Sequence, residues 1–263
     1  PEWRFDAISA RVNACYENTQ NVFTISLQPS KTWHTFVAGQ FVQLTVQKDG
    51  AFFTRTFSIS SSPTHFEKTG EIKLTIRKQD KGLITPWLEQ NLKHKDTVYL
   101  SQAMGEFVVQ DNTKPKLFIA AGSGITPIYA MLNQYTDQDW FKRSTLLFYV
   151  RNETEAFFDD GLLALRNAGL NVITMYTEES GRVSFKHLNE HIEHIHKHEA
   201  YICGPADMIM ATSEILKTCN IADKAIHHEF FSAPSASQEA IVIDSDLFED
   251  DEVIKVDYLD SNK

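Results

Sequence analysis

The chain has only three cysteines, Cys15, Cys203 and Cys219, in 263 residues. An odd number at wide spacing builds no disulfide framework and no Cys-x-x-Cys metal pair. That usage fits a reducing, cytoplasmic setting. No apolar run approaches the ~18–20 residues of a membrane-spanning helix. No signal peptide is visible, since Pro1-Glu2-Trp3-Arg4 starts polar and irregular; an opening on Pro1 reads as a trimmed N-terminus, which leaves a preceding leader open. Positive charge is in short supply: 25 Lys and Arg against 35 Asp and Glu leave a net charge of -10 and a pI near 5.5. A nucleic-acid partner would need a basic footprint, so that class is excluded. Internal repeats are absent. What remains is globular in composition, with 42% hydrophobic and 23% charged residues. The length suits one large domain or two ordinary ones.

The first hundred residues read as β-structure. Strands are expected at Ala7 to Tyr16, Phe23 to Leu27 and Phe41 to Val46, with a turn over Asn18 to Asn21 between the first two. The next runs through Arg55-Thr56-Phe57-Ser58 to Pro63. Others cover Glu71 to Arg77, Thr97 to Leu100 and Phe107 to Val109. A single helix is expected over Leu83 to Leu92, with Pro86 early in it where proline is tolerated. Short strands at this spacing predict a closed antiparallel β-barrel.

The period changes after Asp111 to Pro115. Lys116 to Ala121 is continuously apolar after its first residue, as a strand buried on both faces should be. Strands at Thr145 to Val150, Asn171 to Tyr176, Ala200 to Cys203 and Ile226 to Phe231 alternate with helices. The helices are expected at Ile128 to Tyr135, Asp159 to Ala168, Phe185 to His191 and Ala206 to Cys219. That alternation predicts an α/β doubly wound parallel sheet. The expected fold class is therefore two-domain, the barrel followed by the parallel sheet. Beyond Phe231 comes a linker-like Ser/Ala/Pro run and an acidic stretch, Asp244 to Glu252. A strand pattern then restarts at Val253 to Leu259.

Three stretches carry chemistry. In Arg55 to Ser58 a cation, a flat ring and a small hydroxyl follow one another on a strand, the contacts a phosphorylated aromatic cofactor needs. Strand alternation puts Arg55 and Phe57 on one face and Thr56 and Ser58 on the other. In Gly122-Ser123-Gly124-Ile125-Thr126-Pro127 a buried strand meets a helix start around Pro127. The glycines there let a ligand approach the backbone, and the helix amides favour a pyrophosphate. Proline stands where a Gly-x-Gly-x-x-Gly fingerprint would have its third glycine. In Cys203-Gly204-Pro205-Ala206-Asp207-Met208 a second strand ends in a small-residue turn, with Cys203 at the rim of the ligand crevice.

Together, in this order, the three stretches resemble the ferredoxin–NADP reductase superfamily, especially reductase components that serve oxygenases and desaturases. The family's Arg-x-Tyr-Ser, Gly-x-Gly-x-x-Pro and Cys-Gly-Pro-x-x-Met motifs correspond to Arg55–Ser58, Gly122–Pro127 and Cys203–Met208. The resemblance spans about Ala7 to Phe231. It implies an FAD-binding barrel over residues 1–112 and an NAD(P)-binding domain over 113–232. Residues 233–263 would be an acidic tail leading toward a missing ferredoxin domain, with Val253 to Leu259 resembling that domain's first strand.

The resemblance also implies roles. Arg55 would pair with the flavin pyrophosphate, Thr56 and Phe57 would line the ring, and Ser58 would hydrogen-bond near the flavin N5. Phe57 departs from the family's tyrosine and keeps only the ring. Arg77 to Thr85 looks like a second flavin-phosphate loop, in which Gly82, Leu83, Ile84 and Thr85 offer amides and a hydroxyl, favouring FAD over FMN. Gly122, Gly124, Ile125, Thr126 and Pro127 would hold NADH or NADPH. Cys203, Gly204, Pro205 and Met208 would guide the nicotinamide, and Glu229-Phe230-Phe231 resembles the family's closing aromatic segment, with Phe231 covering the flavin on its nicotinamide side.

Ser58 and Cys203 are the expected catalytic pair, tuning hydride transfer. Three scattered cysteines cannot hold a plant-type [2Fe-2S] cluster, so that cluster is expected only on a missing domain or partner protein. Arg151 and Arg182 have two readings, a grip on the adenosine side or solvated surface. Glu178 and Glu179 would repel a 2′-phosphate. His187 and His191 share a helix face, yet no carboxylate pocket or cysteine pair accompanies them, and no metal is expected. Alternative functions are a flavin reductase that releases its product and a non-catalytic flavin-binding relay subunit.

Overall fold

The computed structural model describes residues 7–79 and 82–230. The expectations for Phe231 and for residues 233–263 lie outside them.

The first half is a six-stranded antiparallel sheet. Its strands are β1 (Ile8–Thr19), β2 (Val22–Pro29), β3 (Phe41–Lys48), β4 (Ala51–Ser58), β5 (Ile72–Arg77) and β6 (Thr97–Leu100), in the order β4-β3-β6-β1-β2-β5. The two outer strands meet just past the end of β4. Ile59 bridges Leu74, and Ser60 N donates to Lys73 O at 2.8 Å. The sheet therefore closes at one corner only, and β4 and β5 leave a seam beyond it. Inward residues of every strand, such as Val12, Phe23, Val42, Leu44, Leu74 and Val98, form one core. Burial of this kind is the main stabilising term, roughly 25 cal/mol per Å² of apolar surface.

Two helices accompany this sheet where one was expected. Helix α1 (Pro63–Thr69) begins where a strand was to end. Ser62 Oγ accepts from His65 N at 3.2 Å, and Gly70 closes the helix at φ 71°. Ser62-Pro63 is thus an N-cap followed by a first-turn proline, a start signal and not only a strand stop. Helix α2 (Thr85–Asn91) drives Leu88 into the barrel core. Phe107 to Val109 forms no strand. Phe107 is buried instead against Tyr201 of the second half, at 6.0 Å between ring centroids, and Gln110 N donates to the Tyr201 hydroxyl.

The second half holds β7 (Lys116–Ala121), α3 (Ile125–Gln134), β8 (Thr145–Val150), α4 (Asp159–Asn167), β9 (Asn171–Tyr176), α5 (Thr177–Ser180), α6 (Phe185–His191), β10 (Glu199–Gly204), α7 (Ala206–Thr218) and β11 (Ile226–Phe230). All neighbours pair in parallel, in the order β11-β10-β7-β8-β9. Side chains of β7 alternate between the two covering layers, Phe118 and Ala120 to one, Leu117 and Ile119 to the other. The chain runs outward from β7 to β9, then returns to β10 on the other side. The carboxyl ends of β7 and β10 therefore flank the topological switch point, where open α/β sheets bind ligands.

The linker between the halves is pinned by a buried charge. Lys116 Nζ donates to Glu199 Oε2 at 2.5 Å and to Asn112 Oδ1 at 2.7 Å. Across the domain boundary, Gln134 Oε1 accepts from both the amide and the hydroxyl of Thr64 at 3.0 Å. Among the described residues no helix is long and apolar enough to cross a membrane.

Candidate active site

A cavity of about 560 Å³ occupies the seam between β4 and β5. That size is within the range of small-molecule sites, ~300–1,000 Å³. Nine of the expected residues line it: Arg55, Thr56, Phe57, Ser58, Arg77, Gly82, Leu83, Ile84 and Thr85. Alternation would have given it only half of the Arg55–Ser58 stretch. All four border it because the seam runs along the strand's outer edge, which both faces reach.

Charge in the cavity is sorted by pairing. Lys78 is neutralised by Glu89 at 2.9 Å. Arg77 reaches across the domain boundary to Glu155, also at 2.9 Å. Arg55 makes no ion pair among the described residues; its Nη1 donates to Thr54 O at 2.7 Å, and the rest of the guanidinium is left for an anion. The Thr85 hydroxyl accepts from Gln79 N at 3.0 Å and so fixes the loop that carries Gly82, while keeping its own proton to donate. Phe57 packs against the barrel core with one side exposed to the cavity, and Ser58 is 4% exposed beside it. A flat ring, an unmatched guanidinium and hydroxyl donors together fit a phosphorylated ring system.

The second half closes the cavity with Ser123, Glu229 and Phe230. Glu229 and Phe230 belong to the closing segment that the resemblance implies, and Ser123 to the first glycine turn, although the motifs give neither Glu229 nor Ser123 a role of its own. Burial pushes the Glu229 carboxyl up to about 7, and its Oε2 is buried with no hydrogen-bond partner. The resemblance places its segment over the flavin, but the burial of the carboxyl itself depends on packing that the sequence does not show.

The two nucleotide turns come together at the switch point, through backbone and not side chains. Gly122 has a φ of 53°, and its missing side chain leaves room for the Arg77 guanidinium. A methyl group on Gly124 would stand 2.3 Å from the Cys203 carbonyl oxygen, so only glycine permits this approach. The helix starts at Ile125 after a short 3-10 turn, not at Pro127, and Ile125, Thr126 and Pro127 are buried. Gly204 packs against Ala121 and the Met208 sulfur, with Pro205 exposed just ahead of α7.

Cys203 departs from expectation. Its side chain is fully buried in the core and does not line the cavity, and burial raises its thiol well above the ordinary value. A residue at the end of a central parallel strand has neighbours on both faces, so rim position did not bring exposure. Arg151 and Arg182 lie away from the cavity, both exposed. His187 is buried, its Nδ1 3.3 Å from the Tyr149 hydroxyl.

A barrel with a cation-and-ring cavity, joined to a parallel sheet with a glycine-lined switch point, defines a two-domain flavin and nicotinamide nucleotide oxidoreductase. Residues 11–109 match the oxidoreductase FAD-binding domain, and residues 118–214 the oxidoreductase NAD-binding domain. The chain belongs to the ferredoxin–NADP reductase superfamily, with FAD and NAD(P)H as its cofactors.

It is 22% identical over 236 residues to an NADPH oxidoreductase of Mycobacterium tuberculosis, covering 88% of this chain and 62% of that protein. It is 28% identical over 205 residues to the toluate 1,2-dioxygenase electron transfer component of Pseudomonas putida, covering 75% of this chain and 59% of that protein. The chain thus spans less than two thirds of the length of these curated relatives. The fold matches the FAD/NAD-binding domain of a Vibrio cholerae nitric oxide dioxygenase with a TM-score of 0.77, at 23% identity, covering 87% of this chain and all of that one.

Proposed function

We propose that this chain takes a hydride from NAD(P)H onto FAD. It then passes electrons singly to a [2Fe-2S] acceptor, on a further domain or a separate protein, that serves an oxygenase or desaturase. The observation that carries the reading is the shared cavity: barrel residues expected to hold a flavin and Glu229 and Phe230 of the nucleotide half border one space. A link to oxygenases is supported by the Pseudomonas putida relative, whose name assigns it electron transfer in a dioxygenase system. The flavin-binding unit is residues 1–112, the nucleotide-binding unit residues 113–232, and the setting is cytoplasmic.

The bound coenzymes supply the hydride and electron chemistry. The chain supplies position and charge. Arg55 holds the pyrophosphate, helped by Arg77 and the Thr85 hydroxyl. Phe57 lies against the ring, Thr56 lines the cavity beside it, and Ser58 donates its hydroxyl toward the reacting edge. The backbone of Gly82, Leu83 and Ile84 shapes the phosphate loop. Gly122, Gly124 and the helix start at Ile125 to Pro127 admit the dinucleotide. Gly204, Pro205 and Met208 set the width of the crevice, and the buried Cys203 positions it from within.

Burial raises the Glu229 carboxyl to about 7, so at neutral pH it is protonated in only about half of the molecules and can both give and take a proton there. The test is stopped-flow bleaching of the purified flavoprotein by each reduced nucleotide. Bleaching by at least one is expected; a flavin that neither bleaches would refute the reductase reading.

A further inference from the structure

The sheet order decides which end of the dinucleotide lies where. The switch point between β7 and β10 takes the pyrophosphate, so the two halves of the nucleotide extend to either side of it. On the β11 side the strand ends in Glu229 and Phe230, at the cavity shared with the barrel. The nicotinamide has to reach that side. The adenosine ribose is left with the carboxyl ends of β8 and β9 on the other.

That rim is built by Arg151 and Asn152 after β8 and by Thr177 and Glu178 after β9. Glu178 N donates to Arg151 O at 3.0 Å, which ties the two strand ends together. Asn152 Nδ2 donates to Glu178 Oε2 at 3.2 Å, and Thr154 donates to Asn152 Oδ1 at 2.8 Å. The carboxylate of Glu178 is therefore held at the rim although it is exposed. An ionised carboxylate only accepts hydrogen bonds. It suits the 2′- and 3′-hydroxyls of a ribose and opposes a 2′-phosphate, which brings ~1.5–2 negative charges.

The cations nearby do not reverse this. Arg151 lies 3.9 Å from Glu155, which also accepts from Arg77. Glu153 and Glu179 add negative charge, and Arg182, beyond Gly181, is exposed.

We infer that the coenzyme is NADH, and that Glu178, oriented by Asn152, is the residue that rejects NADPH. The inference rests on the nucleotide-binding reading above and names its coenzyme.

Calorimetric titration of the full chain with NAD⁺ and with NADP⁺ reads the ribose rim without any flavin reaction. NAD⁺ is expected to bind at least about tenfold more tightly, the scale of one hydrogen bond to a charged group. Glu178→Arg should remove or reverse that ratio, while Arg182→Ala should leave it within about twofold, the scale of a surface change. Equal or tighter NADP⁺ binding by the unaltered chain would overturn the inference, as would a Glu178→Arg variant with an unchanged ratio. A flavin bleached by neither reduced nucleotide, with NAD⁺ still preferred, would refute the reductase reading and support the NADH rim.

Discussion

The two halves of this molecule build their shares of the site by different means. The barrel presents side chains: Arg55, Phe57 and Ser58 project into a seam that the sheet leaves open. The parallel sheet presents main chain. Its glycines let β7 and β10 crowd together, while Ile125, Thr126, Pro127 and Cys203 turn inward and are buried. Electrostatics follow the same division, with guanidinium charge in one half and helix amides in the other. One consequence is that truncation should cost binding in the barrel, whereas addition should cost stability in the sheet.

Gly124→Ala tests the sheet side and has the largest expected effect. The new methyl would lie 2.3 Å from a backbone oxygen that cannot move alone. Urea unfolding should show a loss of about 3 kcal/mol, the upper part of the usual overpacking range. A variant as stable as the parent would mean the crevice is soft, and the contrast between the halves would fail.

Arg55→Ala tests the barrel side. Losing a charge-assisted contact predicts flavin held roughly 10–100-fold more weakly, with the flavin-free protein unchanged in stability within ~0.5 kcal/mol. Flavin content after gel filtration reads the first and unfolding reads the second. Stoichiometric flavin in the variant would remove Arg55 from the phosphate site.

Glu229→Gln sharpens the comparison where the halves meet. The folded-state value near 7 lies above the ordinary 4.5 because burial disfavours the carboxylate. Between these values the folded protein binds more protons than the unfolded chain. Stability is therefore lost as pH rises from about 4.5 through about 7. The glutamine variant should escape a loss of order 1–3 kcal/mol, so its advantage grows from pH 5 to pH 8. Parallel pH–stability curves for the two proteins would show that Glu229 is solvated.

Much of the nucleotide half was legible because each element answers to one local pattern. Strands Thr145–Val150 and Asn171–Tyr176 stand as their apolar runs predict, and so does helix Phe185–His191. The barrel half was harder where two signals coincide. Ser62-Pro63 reads equally as a strand stop or a helix start, and only the partner carbonyls downstream choose between them. Phe107 to Val109 has strand composition, yet its contacts lie in the other domain, so it forms no ladder. Cys203 stands in the expected turn, but whether it faces ligand or core depends on what covers a central strand.

The sequence by itself determined the order of the two domains, the glycine-containing turns after β7 and β10 and the set of residues Arg55 to Ser58 that borders the cavity. Each of these is a matter of spacing and side-chain chemistry along a short stretch. Tertiary structure alone decided that β4 and β5 close at one corner and leave a seam, that Glu229 comes to lie in it, and that Glu178 meets Asn152 at the far rim. Those contacts join strands distant in the chain, and their register is set by packing in the two cores, which no local pattern encodes.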